Sequence, residues 1–195
     1  MTVRDLSESV LAALAAVQRL IDRLEDRGVI IGGAAANLLG SPRFTADVDA
    51  MVMASFDEIP DLLNAAKLEG LTPRIDDVAA FARRSRVLLL RHEPSDTNID
   101  ISLGVLPFEA EMIEGSTLHA AGELKLRLPA PEDLIVMKAV AHRSKDYADI
   151  ETVIARHPDL DWRRIEFWVR QFADALEMPE LWIDLARLRP PSTHP

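Results

Sequence analysis

No cysteine occurs among the 195 residues of the chain. Disulfides, cysteine-ligated zinc and thiol nucleophiles are thereby excluded. Positive charge is also scarce. Lys and Arg number 22 against 32 Asp and Glu, a formal net charge of −10. That balance argues against an extended, charge-driven grip on nucleic acid, while a local basic groove or a cationic small substrate stays compatible with it. Long apolar runs are missing too. Residues 10–17 are apolar, but Arg4, Asp5 and Glu8 precede them and Gln18, Arg19, Asp22 and Arg23 interrupt the continuation. Neither a signal peptide nor a membrane span is expected, and a cytoplasmic protein fits. The five histidines, His92, His119, His142, His157 and His194, never stand in His-x-x-x-His spacing, so no zinc site is expected. Internal repeats and low-complexity tracts are absent as well.

What is present suffices for a real core, with 48% hydrophobic residues. Val10, Leu14, Val17, Leu20, Ile21 and Leu24 recur at helical spacing, which predicts an amphipathic helix over residues 5–26 stopped by Gly28. A short buried strand follows at 29–31, then Gly32-Gly33, a short helix at 34–39, and a turn at Gly40-Ser41-Pro42. A strand opens at Asp47. Residues 57–69 read as a second amphipathic helix. Strands at 86–92 and 99–105 flank a turn at Pro94-Ser95-Asp96 and form an antiparallel pair. A further strand is expected at 123–128. Pro131 followed by Glu132 and Asp133 is a strong helix start. From there to Arg189 the pattern is helical, with breaks at Arg143-Ser144, His157-Pro158 and Met178-Pro179. The expected fold is α/β (α+β): a small mixed sheet flanked by helices over residues 1–129, a helical bundle over 130–189, and a tail over 190–195.

Three aspartates carry the chemistry. Asp47 and Asp49 open the apolar run Asp47-Val48-Asp49-Ala50-Met51-Val52-Met53, and thirteen residues (34–46) separate them from Gly33. Two positions apart on a strand, they share one face, with Val48, Ala50 and Val52 turned to the core. Asp100 lies between Ile99 and Ile101 on a later strand. Converging carboxylates beside an apolar strand repel, and a divalent cation removes that repulsion. Hard oxygen ligands of this kind suit Mg²⁺, which keeps substrate phosphates among its other ligands. The glycine pair lets backbone approach a ligand and opens a helix whose amides face phosphate. It is neither a Walker loop, since no Gly-Lys-Ser/Thr follows, nor a Gly-x-Gly-x-x-Gly dinucleotide fingerprint.

The stretch from Gly32 to Asp49, with Gly40-x-x-Arg43-x-Thr45-x-Asp47-x-Asp49 at its end, resembles the signature of the polymerase-β-like nucleotidyltransferase superfamily. Its form is similar to the AbiEii-type toxin branch and related minimal nucleotidyltransferases. The likeness is specific over residues 30–53, supported at Asp100 and looser over 131–154. There, Lys138-x-x-Ala141-x-Arg143-x-Lys145-Asp146-x-x-Asp149 resembles the family's helical motif.

The resemblance implies catalytic, metal-holding Asp47, Asp49 and Asp100, with Mg²⁺ or Mn²⁺ as cofactor and a nucleoside triphosphate such as ATP as substrate. Gly32, Gly33, Arg43, Thr45, Lys138 and Asp146 are implied nucleotide contacts. The toxin branch implies a macromolecular acceptor, tRNA or protein, and an antitoxin partner. The same spacing also resembles aminoglycoside nucleotidyltransferases, which implies a small-molecule acceptor, and a non-catalytic nucleotide-binding module is the third reading. On residue type alone, Lys145, Asp146 and Asp149 read equally as a solvated helix face. Arg83, Arg84, Arg86 and Arg91 are the densest basic cluster and the expected macromolecular acceptor surface. Glu109, Glu111 and Glu114 are the acidic alternative for a cationic small acceptor.

Overall fold

The computed structural model describes residues 6–41 and 44–190. Within them the chain divides into two compact units, one of residues 6–38 and 44–130, the other of residues 39–41 and 131–190.

The first unit opens with α1 (Glu8–Arg23), capped by the Ser7 hydroxyl, which accepts from the Val10 amide at 3.3 Å. Its stripe of Val10, Leu14, Val17, Leu20 and Ile21 is buried. The helix stops before the expected Asp26, because Glu25 and Asp26 both take left-handed backbone angles, φ 55° and 61°. Gly28 is not the stop signal but the first residue of β1 (Gly28–Ile31). The chain then forms α2 (Gly32–Leu39), β2 (Val48–Met53), α3 (Ile59–Leu68), β3 (Leu71–Pro73), α4 (Val78–Ser85), β4 (Val87–His92), β5 (Thr97–Gly104) and α5 (Pro107–Glu114). A hairpin of β6 (Thr117–Ala121) and β7 (Leu124–Leu128) completes the unit. The sequence leaves β3, α4, α5 and β6 unassigned.

The main sheet has five strands in the order β1-β2-β5-β4-β3. β2 and β5 run parallel, and the other neighbours run antiparallel. One face is apolar and closed: Val48, Ala50, Val52, Leu88, Leu90, Ile99, Ile101 and Leu103 are buried. Helix α1 packs against β1, β2 and β5, while α3 packs against β3 and α1. Their apolar stripes and this face make the core. The residues in between, Asp49, Met53, Val87, Leu89, Asn98, Asp100 and Ser102, are half-exposed on the other face. Strand alternation thus gives one sheet a core side and a polar working side.

The second unit consists of α6 (Pro131–Ala141), α7 (Ser144–Arg156), α8 (Trp162–Leu176) and α9 (Glu180–Ala186), with breaks where the sequence places them. Helix α6 packs against the other three. Asp161 caps α8 by accepting from the Arg163 and Arg164 amides. Among the described residues no helix is long and apolar enough to cross a membrane. The fold is therefore the expected mixed sheet flanked by helices, followed by a helical bundle.

The two faces of β5 carry different energetic weight. Ile101→Ala, in the closed face, should cost about 2–5 kcal/mol by cavity formation. Its neighbour Ser102→Ala, on the open face, should stay within about 0.5 kcal/mol. Urea denaturation of the two variants checks the contrast.

Candidate active site

The open face of the sheet carries a row of residues in hydrogen-bonding register. Ile31 of β1 pairs with Asp49 of β2, Asp49 pairs with Asp100 of β5, and Asp100 pairs with Leu89 of β4. The Arg74 amide, one residue past β3, donates to the Leu89 carbonyl at 3.1 Å and extends the row to the sheet edge. Two carboxylates therefore occupy adjacent positions on adjacent strands, where strand spacing is roughly 4.8 Å.

Gly32 closes the row at the β1 end. It has φ +66°, in the left-handed region that glycine adopts without strain. The Asp49 carboxylate lies directly against its Cα: a Cβ on Gly32 would overlap Asp49 Oδ2 and stand 2.7 Å from Asp49 Cγ. The glycine is thus needed twice, for the turn from β1 into α2 and for the seat of the Asp49 side chain. Gly33 is buried in the first turn of α2.

Asp47 sits one residue before β2 rather than within it, exposed in a bend. The Thr45 hydroxyl donates to the Asp47 carbonyl oxygen at 2.8 Å and shapes that bend. Arg43 lies outside the described residues. Asp47 reaches Asp100 electrostatically. Burial, the largest influence, pushes the Asp100 carboxyl above its usual value; Arg74 pulls it back and Asp47 adds to the rise. Arg74 Nη2 donates to Asp100 Oδ1 at 2.5 Å. Sequence reading passes over Arg74, since no local pattern joins it to an aspartate 26 positions away.

The donor set suits a divalent cation in kind: hard carboxylate oxygens on one face, beside a glycine that admits close approach. Among the described residues, however, no three His, Asp or Glu side chains stand in a metal-holding arrangement. Asp100 is drawn to Arg74 instead.

A family described as "Nucleotidyl transferase of unknown function (DUF2204)" matches residues 13–180. The chain belongs to this family. Comparison with curated proteins gives no match. Several solved structures resemble the DUF2204 chain. The antibiotic-resistance factor ANT(2'')-Ia, in a solution structure, is 15% identical over 92% of this chain and 100% of its own, with a TM-score of 0.58. An antigenic nucleotidyltransferase-like protein from Paracoccidioides brasiliensis is 18% identical over 94% and 93%, with a TM-score of 0.55. The lincosamide antibiotic adenylyltransferase LnuA, in a lincomycin-bound structure, is 13% identical over 78% and 99%, with a TM-score of 0.51. At these identities the likeness is one of fold.

The remaining sequence expectations for this DUF2204 member fall in different places. Of the residues that read equally as a solvated helix face, Lys145 is exposed but Asp146 and Asp149 are not, and Lys138 joins them. Lys138, Asp146 and Asp149 are buried together in the helical unit. Lys138 Nζ donates to Asp149 Oδ2 at 2.6 Å and to Asp146 Oδ1 at 3.4 Å, and Arg143 Nε donates to Asp146 Oδ2 at 2.5 Å. Ser41 Oγ donates to Asp149 Oδ1 at 2.8 Å. A further bond joins His157 Nε2 to the Leu39 carbonyl at 2.8 Å. Gly40, φ +128°, lies so close to Arg156 that a Cβ there would meet its Cγ at 2.7 Å. The short segment Leu39–Ser41 is thus bound into the helical unit by side chains of α7 and its C-cap, His157. A signal for this burial exists in the sequence: Lys138 is embedded in the apolar run from Leu134 to Ala141.

The four arginines are engaged differently. Arg83 and Arg84 are exposed on α4. Arg86 caps that helix in a left-handed conformation, donates from Nε to the Leu103 carbonyl at 2.9 Å and lies over the Phe56 ring. Arg91 pairs with Asp96 at 2.9 Å. Of the acidic trio, Glu109 turns back to accept from the Val105 and Leu106 amides at 2.7 and 2.8 Å, while Glu111 and Glu114 are exposed on α5.

Two tests follow from this geometry. Gly32→Ala should lower stability by about 1–3 kcal/mol, from left-handed strain and displacement of Asp49. Thermal melts measure the loss, and a crystal structure of the variant should show the Asp49 carboxylate moved. Lys138→Ala should cost about 3–5 kcal/mol, because it leaves carboxylates buried without their ammonium. Burial pushes the Asp146 carboxyl up, but Arg143 and Lys138 outweigh it and hold it below the usual carboxylate range. A depressed carboxyl contributes stability above its unfolded value and loses it as pH falls through the folded one. The penalty of Lys138→Ala should therefore be full at neutral pH and shrink in acid below the ordinary carboxylate range, as read by denaturation at each pH.

Proposed function

We propose that this DUF2204 protein transfers a nucleoside monophosphate from a nucleoside triphosphate to the hydroxyl of a small acceptor, with Asp47, Asp49 and Asp100 as the carboxylates that hold Mg²⁺ or Mn²⁺. The observation that carries the reading is the Asp49–Asp100 register on the open face, with Gly32 cut away beneath Asp49. Asp47, Asp49 and Asp100 would hold the divalent cation, which when bound would supply charge neutralisation for the triphosphate.

The chain's own groups supply the rest. Gly32 and Gly33 offer backbone amides at the start of α2 to the phosphate oxygens, and Arg43 adds a guanidinium. Thr45 acts one step back, by fixing the bend that carries Asp47. Asp100 is the carboxylate assigned to take the acceptor proton. The acceptor oxygen then bonds to the α-phosphorus, the bond from that phosphorus to the bridging oxygen breaks, and pyrophosphate leaves. Lys138 and Asp146 serve this reading as the buried frame of the helical unit rather than as direct contacts.

The acceptor class is argued from charge. A tRNA or protein acceptor with an antitoxin-type partnership asks for a continuous basic surface, and the engagement of Arg86 with the Leu103 carbonyl and of Arg91 with Asp96 weighs against it. The net charge of −10 favours a cationic small molecule. The fold neighbours described as an antibiotic-resistance factor and a lincosamide adenylyltransferase support the same class.

The test is incubation of the protein with each labelled nucleoside triphosphate, Mg²⁺ and a cell lysate divided into small-solute filtrate and macromolecular retentate. Label should appear in the filtrate, and Asp49→Asn should reduce it by roughly a hundredfold or more. Label confined to the retentate would reinstate the macromolecular acceptor. No transfer with any nucleotide would favour a nucleotide-binding module without catalysis.

A further inference from the structure

Arg74 is the one charged residue of the carboxylate row that nothing in the nucleotidyl-transfer reading requires. Its amide is fixed to the Leu89 carbonyl, so its backbone is part of the sheet. Its guanidinium crosses Leu89 to meet Asp100 Oδ1 at 2.5 Å. The pair is only partly exposed, with 22% of the Arg74 side chain and 39% of the Asp100 side chain accessible.

The physical setting makes this more than a surface ion pair. Asp49 and Asp100 are register neighbours, and like charges directly opposite on adjacent strands destabilise a sheet. Asp47 adds a third carboxylate within electrostatic reach of Asp100. One guanidinium relieves part of that repulsion when no other cation is present. A divalent cation brought to the same carboxylates would meet a like charge already seated there. The two cations therefore compete for one carboxylate.

We propose that Arg74 is the built-in counter-ion of the unloaded site, which releases Asp100 when a divalent cation binds and then turns its guanidinium to the triphosphate. This rests on the proposed function above and adds to it a residue with two successive partners. Only side-chain torsions need change, because the backbone stays hydrogen-bonded to β4. The released guanidinium remains on the open face, where its planar fork matches phosphate oxygens. Arg74 is a positioning residue in the unloaded state and a substrate contact in the loaded one.

The two roles predict shifts of opposite sign. Arg74→Gln should bind Mn²⁺ alone roughly fivefold more tightly, because the competing charge is gone. With saturating Mn²⁺, the same variant should bind a non-hydrolysable ATP analogue roughly tenfold more weakly, because a charged phosphate contact is lost. Calorimetry, or the electron-spin signal of free Mn²⁺, reads the first, and calorimetry reads the second. Arg74→Lys keeps the charge: it should hold Mn²⁺ affinity near wild type and still weaken the analogue, which also covers the case in which glutamine impairs folding. Two unchanged affinities in Arg74→Gln, or two shifts in the same direction, would overturn the inference, as would loss of both affinities in Arg74→Lys. Should wild type and variants bind neither Mn²⁺ nor the analogue, the proposed function fails with it. Wild type binding both, with the variants matching it, sinks the role of Arg74 alone.

Discussion

The parallel pairing of β2 with β5 is the constraint on which the candidate site depends. Parallel neighbours inside an otherwise antiparallel sheet need a crossover, and here the chain between them builds α3, β3, α4 and β4 before returning. The reward is that the start of β2 lies beside the start of β5, so Asp49 and Asp100 meet at the same end of the sheet. A slip of one residue in that register would send Asp100 to the closed face and Ile99 or Ile101 to the open one. The flanking isoleucines, both fully buried, make such a slip very unfavourable. The apolar core thereby sets where the charges stand.

Charge is handled in opposite ways by the two units. On the sheet, Asp49 and Asp100 are half-exposed, and Asp100 meets the Arg74 guanidinium at the surface. In the helical unit, Lys138, Asp146, Asp149 and Arg143 satisfy one another in the interior. Buried ion groups of this kind add little net stability over apolar packing, but losing one member is severe. The same residue types thus stand at a solvent-accessible sheet face in one place and form closed architecture in the other.

The strand placement of Asp49 and Asp100 and the helical breaks were legible because each rests on local patterning. Alternation sets Asp49 and Asp100 each between buried apolar neighbours. The common strand face expected for Asp47 and Asp49 did not hold, since Asp47 lies in the bend before β2. Ser144, Pro158 and Pro179 mark real interruptions between helices. Elements shorter than the periods that reveal them were not legible. β3 is three residues ending in proline, and α4 and α5 are eight residues each, too short for a helical stripe to stand out. The end of α1 misled for another reason: Glu25 and Asp26 adopt left-handed angles more often given to glycine, so Gly28 drew the boundary too late. Arg74 was invisible because its partner is fixed by strand order, which no window of sequence contains. The burial of Lys138 was readable from its apolar neighbours but was masked by the charged residues that follow.

The assignment of Leu39–Ser41 to the helical unit has a consequence for how this gene product can be divided. The polypeptide passes from one unit to the other at three points, near residues 39, 42 and 131, and not once. A fragment cut after Ala130 would keep the glycine turn and every aspartate of the row. It would still part Leu39, Gly40 and Ser41 from His157, Arg156 and Asp149. The helices therefore are not a detachable appendage that recombination could exchange freely. Any replacement would have to bring its own acceptor for a serine hydroxyl and its own donor to a backbone carbonyl.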